Sequence, residues 1–369
     1  MATTAATTTN DVAEQRDALI ERLLGSTLAT WDLAAVFLGT QLGLYESLAA
    51  DGPATAGQLA ARTLTAERYV REWLEQQAVS GLLSVDNPEA SSAGRRYRLP
   101  DAYAEVLTER ESLNYLAPLP QIVLGALSPL QRILEVFRTG AGIAYHEYGT
   151  HLHEGQAGMN RNAFLYQLGE EWLPSIPDVH ARLVADPPAR IADIGCGHAW
   201  SSIGMARAYP KARVDGFDLD AASVRAAREH VQRMGLAGRV NVEERDAGDS
   251  ALVGQYDLVT AFECVHDMPD PVGVLRTMRR MANGAGAVIV MDERVRERFV
   301  PEPDTVEQFM YGFSILHCLP VGMLGEHPAG TGTVMRPDTL RAYATEAGFR
   351  DIEILPIENF FFNFYRLWS

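Results

Sequence analysis

Residues 190–202 read Arg190-Ile-Ala-Asp-Ile-Gly-Cys-Gly-His-Ala-Trp-Ser-Ser202. Ile191 to Ile194 are apolar but for Asp193 and read as a short buried strand. Gly195 and Gly197 follow, and Ser201 to Ala208 reads as a helix. A strand that turns through glycines onto a helix start gathers backbone N–H groups at the positive end of a helix dipole. Asp193 stands at the strand end, available to an ammonium or a hydroxyl. The chain downstream reads as a sheet built around this turn, and the chain upstream as its cover.

Downstream, strands and helices alternate. Strands are expected at Arg213 to Phe217, Val240 to Glu244, Tyr256 to Phe262 and Ala287 to Met291, and helices at Ala221 to Met234 and Pro271 to Met281. Such alternation predicts an α/β fold, a Rossmann-like, mostly parallel sheet with helices on both faces. Ligands then bind beyond the carboxyl ends of the strands. Asp193, Asp218, Asp246, Glu263 and Asp292 all stand at those ends, and five acids along one edge mark a site. A helix at Asp338 to Ala347 follows, and the chain closes in an antiparallel hairpin at the sheet edge. Residues 298–335 interrupt the alternation with Gly, Pro and aromatic residues; insertions of this kind are usually functional, so a substrate-covering lid is expected.

A glycine turn with an acid about 20 residues on also describes dinucleotide binding. Here the third glycine of that fingerprint is replaced by Trp200, whose indole would block a pyrophosphate, and Asp193 would repel phosphate. A ligand with a ribose and a cationic, phosphate-free tail suits the turn better, and S-adenosylmethionine is one. Asp218 can accept from both ribose hydroxyls, Asp246 with the Ala247 backbone can read the adenine edge, and Gly195 and Gly197 admit the methionine portion.

Upstream, apolar spacing predicts helices at 12–24 and 28–48, the second so poor in charge that it needs cover, which suggests a homodimer. Residues 55–62 and 66–80 read as helices, the latter capped by Thr65, followed by strands at 82–85 and 96–99: a winged helix. Arg68 and Arg71 of its second helix are balanced by Glu67, Glu72 and Glu75, so packing or dimerisation is favoured over a DNA groove. Residues 142–160 are Gly-rich and read as a pocket-covering loop with His146, Tyr148, His151 and His153. An HxH pair alone does not make a zinc site, and no metal is expected.

The formal net charge is -16 and 47% of residues are hydrophobic. An acidic total disfavours nucleic acid. Three cysteines without CxxC spacing suit reduced thiols and a cytoplasmic protein. No apolar run approaching the roughly 18 residues of a membrane span is recognised, so no membrane partner is expected. Residues 1–10 lack a secretory signal's basic and apolar regions and read as a disordered tail.

Asp193-Ile-Gly-Cys-Gly197, Gly216-Phe-Asp-Leu-Asp220, Arg245-Asp-Ala247, Tyr256-Asp-Leu-Val259 and Val288-Ile-Val-Met-Asp292 together resemble the class I S-adenosylmethionine-dependent methyltransferases. The winged helix resembles the dimerisation domain of the small-molecule O-methyltransferases. The family's third small glycine is Ala199 here, tolerable if its φ is negative. The resemblance implies a disordered tail over 1–10, a winged-helix dimerisation domain over 11–105, a helical linker and pocket cover over 106–188, and a cofactor-binding domain over 189–369. It implies that Leu219, Phe262 and Glu263 join the cofactor contacts. It also implies that His266 is the general base for a hydroxyl acceptor, with Asp267 orienting it. His146, Tyr148, Phe313, His317 and Met323 are expected to meet a small, moderately hydrophobic substrate. N- or C-methyl transfer, or a cofactor-binding regulator that transfers nothing, are the alternatives.

Overall fold

The computed structural model describes residues 9–282 and 284–369. It divides into two compact units, Met1–Gln121 and Ile122–Ser369. Of the tail expected over residues 1–10, residues 1–8 lie outside the described residues, and helix has begun by Thr9.

The first unit opens with a single helix, Thr9–Gln41, in place of the two expected. Gly25 in its middle does not end it, because a lone helical glycine costs only about 1 kcal/mol. The break falls at Gly43, in the left-handed region at φ 67°, before Leu44–Asp51. Leu19, Ile20, Leu23, Leu24, Leu28 and Trp31 lie at three- and four-residue spacing on the long helix, and each is more than half exposed. The continuous helix also corrects the expectation about membrane spans. Among the described residues one helix, Asp11–Gln41, is long and apolar enough to cross a membrane by length and composition, its most apolar 18-residue window having a mean hydropathy of 1.3.

The winged helix forms as expected. Helix Ala56–Thr63 starts from a reciprocal cap between Thr55 and Gln58. Helix Glu67–Val79 follows, with Ala66 rather than Thr65 in the cap position. Strands β1 (Ser84–Val85) and β2 (Tyr97–Arg98) pair antiparallel as the wing. Tyr45, Leu59, Leu74 and Tyr97 are fully buried at its centre. Each arginine near the second helix has a local acid: Arg71 meets Glu67 at 3.1 Å, Arg68 meets Glu72 at 2.6 Å and Arg95 meets Glu75 at 2.8 Å.

The second unit is built on seven strands: β3 (Arg190–Ile194), β4 (Arg213–Asp218), β5 (Val240–Glu244), β6 (Leu258–Phe262), β7 (Ala287–Glu293), β8 (Asp351–Ile354) and β9 (Phe362–Trp368). Their spatial order is β5-β4-β3-β6-β7-β9-β8. The first five are parallel; β9 runs antiparallel between β7 and β8. Alternate residues serve opposite faces, as the pleat requires. Ile191, Val214, Leu258 and Ile289 pack on one side, and Ala192, Val259, Val288 and Val290 on the other. The chain winds away from β3 in both directions, so β3 and β6 are adjacent at the switch point where α/β sheets open a crevice.

One expectation for the covering segments changes. The Gly-rich region 142–160 is not a loop: a 3-10 turn, Tyr145–Tyr148, leads into helix Gly149–Asn162, which runs on through the wider π-type turns of Ala163–Trp172. The segment 298–335, expected as a lid, is helical in its middle, over Thr305–Phe313, Ser314–Cys318 and Leu319–Gly322.

Segment 163–172 crosses helix Trp200–Ala208 through small residues. A Cβ on Gly204 would stand 2.1 Å from the Phe164 carbonyl oxygen, and one on Gly169 would stand 2.2 Å from Ala208 Cβ. Gly204→Ala is therefore expected to lose roughly 1–3 kcal/mol of stability by overpacking, despite alanine's better helix propensity. Gly312→Ala, on an exposed helical glycine with open space around it, should gain about 0.5–1 kcal/mol. Denaturant unfolding of both variants checks the pair, and equal effects would show that the crossing is not tight.

Candidate active site

The turn after β3 is held by the neighbouring strand. Gly195 N–H donates to Phe217 O at 2.8 Å, and Gly197 N–H donates to Asp218 Oδ2 at 2.8 Å. Gly195 has φ +64°, and a Cβ there would stand 2.7 Å from Cys264 Sγ, so glycine lets the loops after β3 and β6 touch. Ala199 caps helix 200–208 at φ 63°. The condition of a negative φ fails, and an alanine sits in a left-handed conformation that costs it about 1–2 kcal/mol.

Asp193 is not available to a ligand, which corrects the sequence expectation. It is buried, its Oδ2 accepts from Ser201 and Ser202 Oγ at 2.6 Å each, and its Oδ1 accepts from Thr260 Oγ1 at 2.8 Å. Burial raises its pKa, and the three hydroxyl bonds oppose that rise. The carboxylate braces the helix start against β6 from behind the turn.

In front of the turn lies a cleft of about 560 Å³, within the usual range for small-molecule sites. Gly195, Gly197, Asp218, Leu219, Asp246 and Ala247 all line it, as do Phe262 and Glu263. Asp218 is held by two backbone donors, Gly197 N–H and Asp220 N–H at 2.9 Å, one on each oxygen. Each oxygen keeps a free lone pair. Burial raises the Asp218 pKa and those two bonds oppose it. Asp246 Oδ1 accepts from Gly248 N–H at 2.7 Å and stays exposed. Glu263 has φ 53°, and burial pushes its carboxyl up to about 7 against a hydrogen bond from Asn160.

His266 is placed differently from the expected free base. It is 2% exposed and lies behind the cleft-lining residues. Its Nδ1 is 2.9 Å from Asp292 Oδ1 and 3.3 Å from Glu293 Oε2, and its Nε2 is 3.2 Å from Asp267 Oδ1. Burial would lower its pKa, but Asp292, Glu293 and Asp267 outweigh burial and raise it well above the usual value. A protonated imidazole with a carboxylate at each nitrogen has no lone pair for a substrate. Asp267 does line the cleft. Burial would raise its pKa, but the imidazole of His266 outweighs this and holds it low.

Of the expected substrate contacts, only His146 lines the cleft. Tyr148, Phe313 and His317 pack behind it: the His317 ring stacks on Phe313 at 5.1 Å and meets Tyr148 edge-on at 4.7 Å. Tyr148 Oη donates to Leu316 O at 2.9 Å. Burial lowers the His317 pKa to about 4, so its ring is neutral. Met323 contacts the Gly330 turn instead. The residues missed are Gln156, Asn160 and Phe164, which with His153 form one face of the covering helix turned to the cleft, Tyr145 being stacked on His153 at 4.1 Å. Their three- and four-residue spacing was a readable signal, masked by the glycines that suggested a loop.

Residues 186–321 match the methyltransferase domain family, and residues 33–109 match the Rv2258c-like winged HTH domain family. The ubiquinone biosynthesis O-methyltransferase of Marinobacter nauticus is 36% identical over 107 residues, 27% of this chain and 42% of that one. The chain thus spans less than half the length of the curated relatives it matches. Among solved structures, the mitomycin 7-O-methyltransferase is similar at TM-score 0.68 and 18% identity, over 97% of this chain and 99% of that one. Human N-acetylserotonin methyltransferase, solved with S-adenosylmethionine, is similar at TM-score 0.64 and 18% identity, over 95% and 98%. The chain thus carries a region matching a methyltransferase domain over residues 186–321 and a region matching a winged helix-turn-helix domain over residues 33–109.

Proposed function

We propose that the protein methylates a small, moderately hydrophobic acceptor, in the first instance on a hydroxyl group, with S-adenosylmethionine as donor. The observation that supports this best is Asp218: a half-buried carboxylate in the cleft clamped by two backbone N–H groups, with one lone pair of each oxygen left for a diol. The donor's sulfonium supplies an already activated methyl group. Six acids line the cleft, Asp218, Asp220, Asp246, Glu263, Asp267 and Asp270, which suits a cationic nucleoside. Its one arginine, Arg245, is bound to Asp249 at 2.9 Å. Asp246 and Ala247 stand where an adenine edge can be read, and Gly195 and Gly197 leave room for the amino-acid end. Phe164 and Phe262, stacked at 5.7 Å, keep water from the reacting end. Asp267 is the carboxylate that an acceptor hydroxyl meets, and His266 behind it is a positioning residue that sets its charge and direction. Of the acceptor-side contacts, Tyr145 and His146 are favoured over Tyr148, Phe313, His317 and Met323.

The exposed apolar face of helix 9–41 fits a second copy of this chain better than a lipid surface, because Arg16, Asp17, Glu21 and Arg22 lie along the same helix. With the local acids beside Arg68, Arg71 and Arg95, the winged helix is read as part of a homodimer rather than a nucleic-acid reader. A cytoplasmic location goes with that reading.

Four outcomes are expected. S-adenosylmethionine at 100 times its dissociation constant should stabilise the protein by about 2.7 kcal/mol, visible as a rise in Tm. Asp218→Ala should weaken that binding by about tenfold or more; no rise in the parent protein overturns the donor assignment. His266→Ala should lower kcat on a hydroxyl acceptor by about a hundredfold, with donor affinity unchanged by calorimetry, whereas an unaltered kcat removes His266 from the reaction. Light scattering should give a dimer that Leu23→Glu with Leu24→Glu converts to monomer; a monomeric parent would reject the shared helix face.

A further inference from the structure

Trp200 stands where a dinucleotide fingerprint has its third glycine, and its half-buried side chain lines the cleft. Two side chains from other elements pack on its ring. His230 stacks on it with 4.3 Å between centroids and 25° between planes. Arg161 Cζ stands over it, 5.0 Å from the centroid. A guanidinium over an indole is attracted by the electron-rich ring face. His230 Nδ1–H in turn donates to His198 O at 3.1 Å. Burial lowers the His230 pKa, so its ring is neutral and sets no charge against Arg161. These contacts join three parts of the second unit. His198 belongs to the glycine turn, His230 to helix Ala221–Arg233, and Arg161 to the covering helix 149–162.

The covering helix has a place to bend. Arg161 lies at the end of its α-helical part, and the wider turns begin at Ala163. Such π-type turns are frequent at functional sites. Beyond the junction the segment is fixed, because the crossing at Gly204 and Gly169 has no space even for a Cβ. Before it, Gln156 and Asn160 face the cleft. The turn that precedes the helix is tied to the second cover, with Tyr148 Oη donating to Leu316 O at 2.9 Å. Arg161 on Trp200 ties the other end to the glycine turn. A ligand in the cleft meets both sides of this tie, Gly195 and Gly197 on one and Gln156 and Asn160 on the other. Such a ligand favours the arrangement in which the two sides are close.

We propose that Trp200 is a positioning residue: through Arg161 it latches the covering helix to the glycine turn, so that a bound donor sets Gln156 and Asn160 in place for the acceptor. The latch rests on the proposed donor, S-adenosylmethionine. An indole face and a cation shift such an equilibrium roughly 2- to 30-fold, enough to order one helix and too little to hold the fold.

Amide hydrogen exchange of the full chain, with and without S-adenosylmethionine, tests this. In the parent protein the donor should slow exchange across residues 149–162. Trp200→Leu and Arg161→Gln should each remove about 2- to 30-fold of that slowing, and the double variant should lose no more than either one. Trp200→Phe and Arg161→Lys, which keep a ring face and a cation, should retain most of it. By calorimetry each variant should still bind the donor, weakened by no more than the same factor. Donor-dependent slowing that survives both Trp200→Leu and Arg161→Gln overturns the latch. So does exchange that speeds up equally with and without donor, which marks a packing contact alone. A parent protein that binds no S-adenosylmethionine overturns the proposed function and the latch with it, whereas donor binding without slowing over 149–162 sinks only the latch.

Discussion

The second unit depends on the buried carboxylate of Asp193. It accepts hydrogen bonds from three hydroxyls, two from the start of helix 200–208 and one from β6. Bonds to a charged acceptor contribute about 1.5–3 kcal/mol each, and without them the buried charge would be strongly destabilising. The bonds fix the angle at which the helix leaves the turn and the distance between β3 and β6. The crevice at the switch point exists because those distances are held.

The turn itself shows what such bracing permits. Three positions within five residues, Gly195, Gly197 and Ala199, take positive φ. Glycine accepts this freely, alanine does not, and the surrounding hydrogen bonds hold Ala199 there. Strain of this kind persists where neighbours over-determine the backbone, and it clusters at functional sites. Glu263, at φ 53° on the opposite loop, is a second such case. The two strained residues belong to the loops after β3 and β6, and Cys264 fills the gap that Gly195 leaves.

Acidity was legible in the sequence, but its purpose was not. The acids at the strand ends form two groups in space. Asp218 and Asp246 stand in the cleft, oriented by backbone N–H groups. Asp267, Asp292 and Glu293 surround His266, where carboxylates outnumber the one cation and each keeps an unpartnered oxygen. The first group suits a ribose and a sulfonium. The second raises the imidazole's proton affinity, because Asp292, Glu293 and Asp267 outweigh the cost of burying its charge.

Residues 190–202 and the alternation after them determined the sheet, its parallel order and the glycine turn, because period-two burial and glycine punctuation are local properties. The cofactor-side residues followed, since strand ends converge whenever a parallel sheet forms. Tertiary structure alone decided the rest. Asp193 was withdrawn from the cleft because serines eight and nine residues on, and a threonine on another strand, reached it first. Helix 9–41 stayed whole because one mid-helix glycine, Gly25, does not outweigh about nine turns of hydrogen bonds. Region 142–160 became helix, turning His153, Gln156, Asn160 and Phe164 inward. His266 lost its freedom to Asp292 and Glu293, acids 26 and 27 residues away in the chain, whose reach depends on the β6–β7 register.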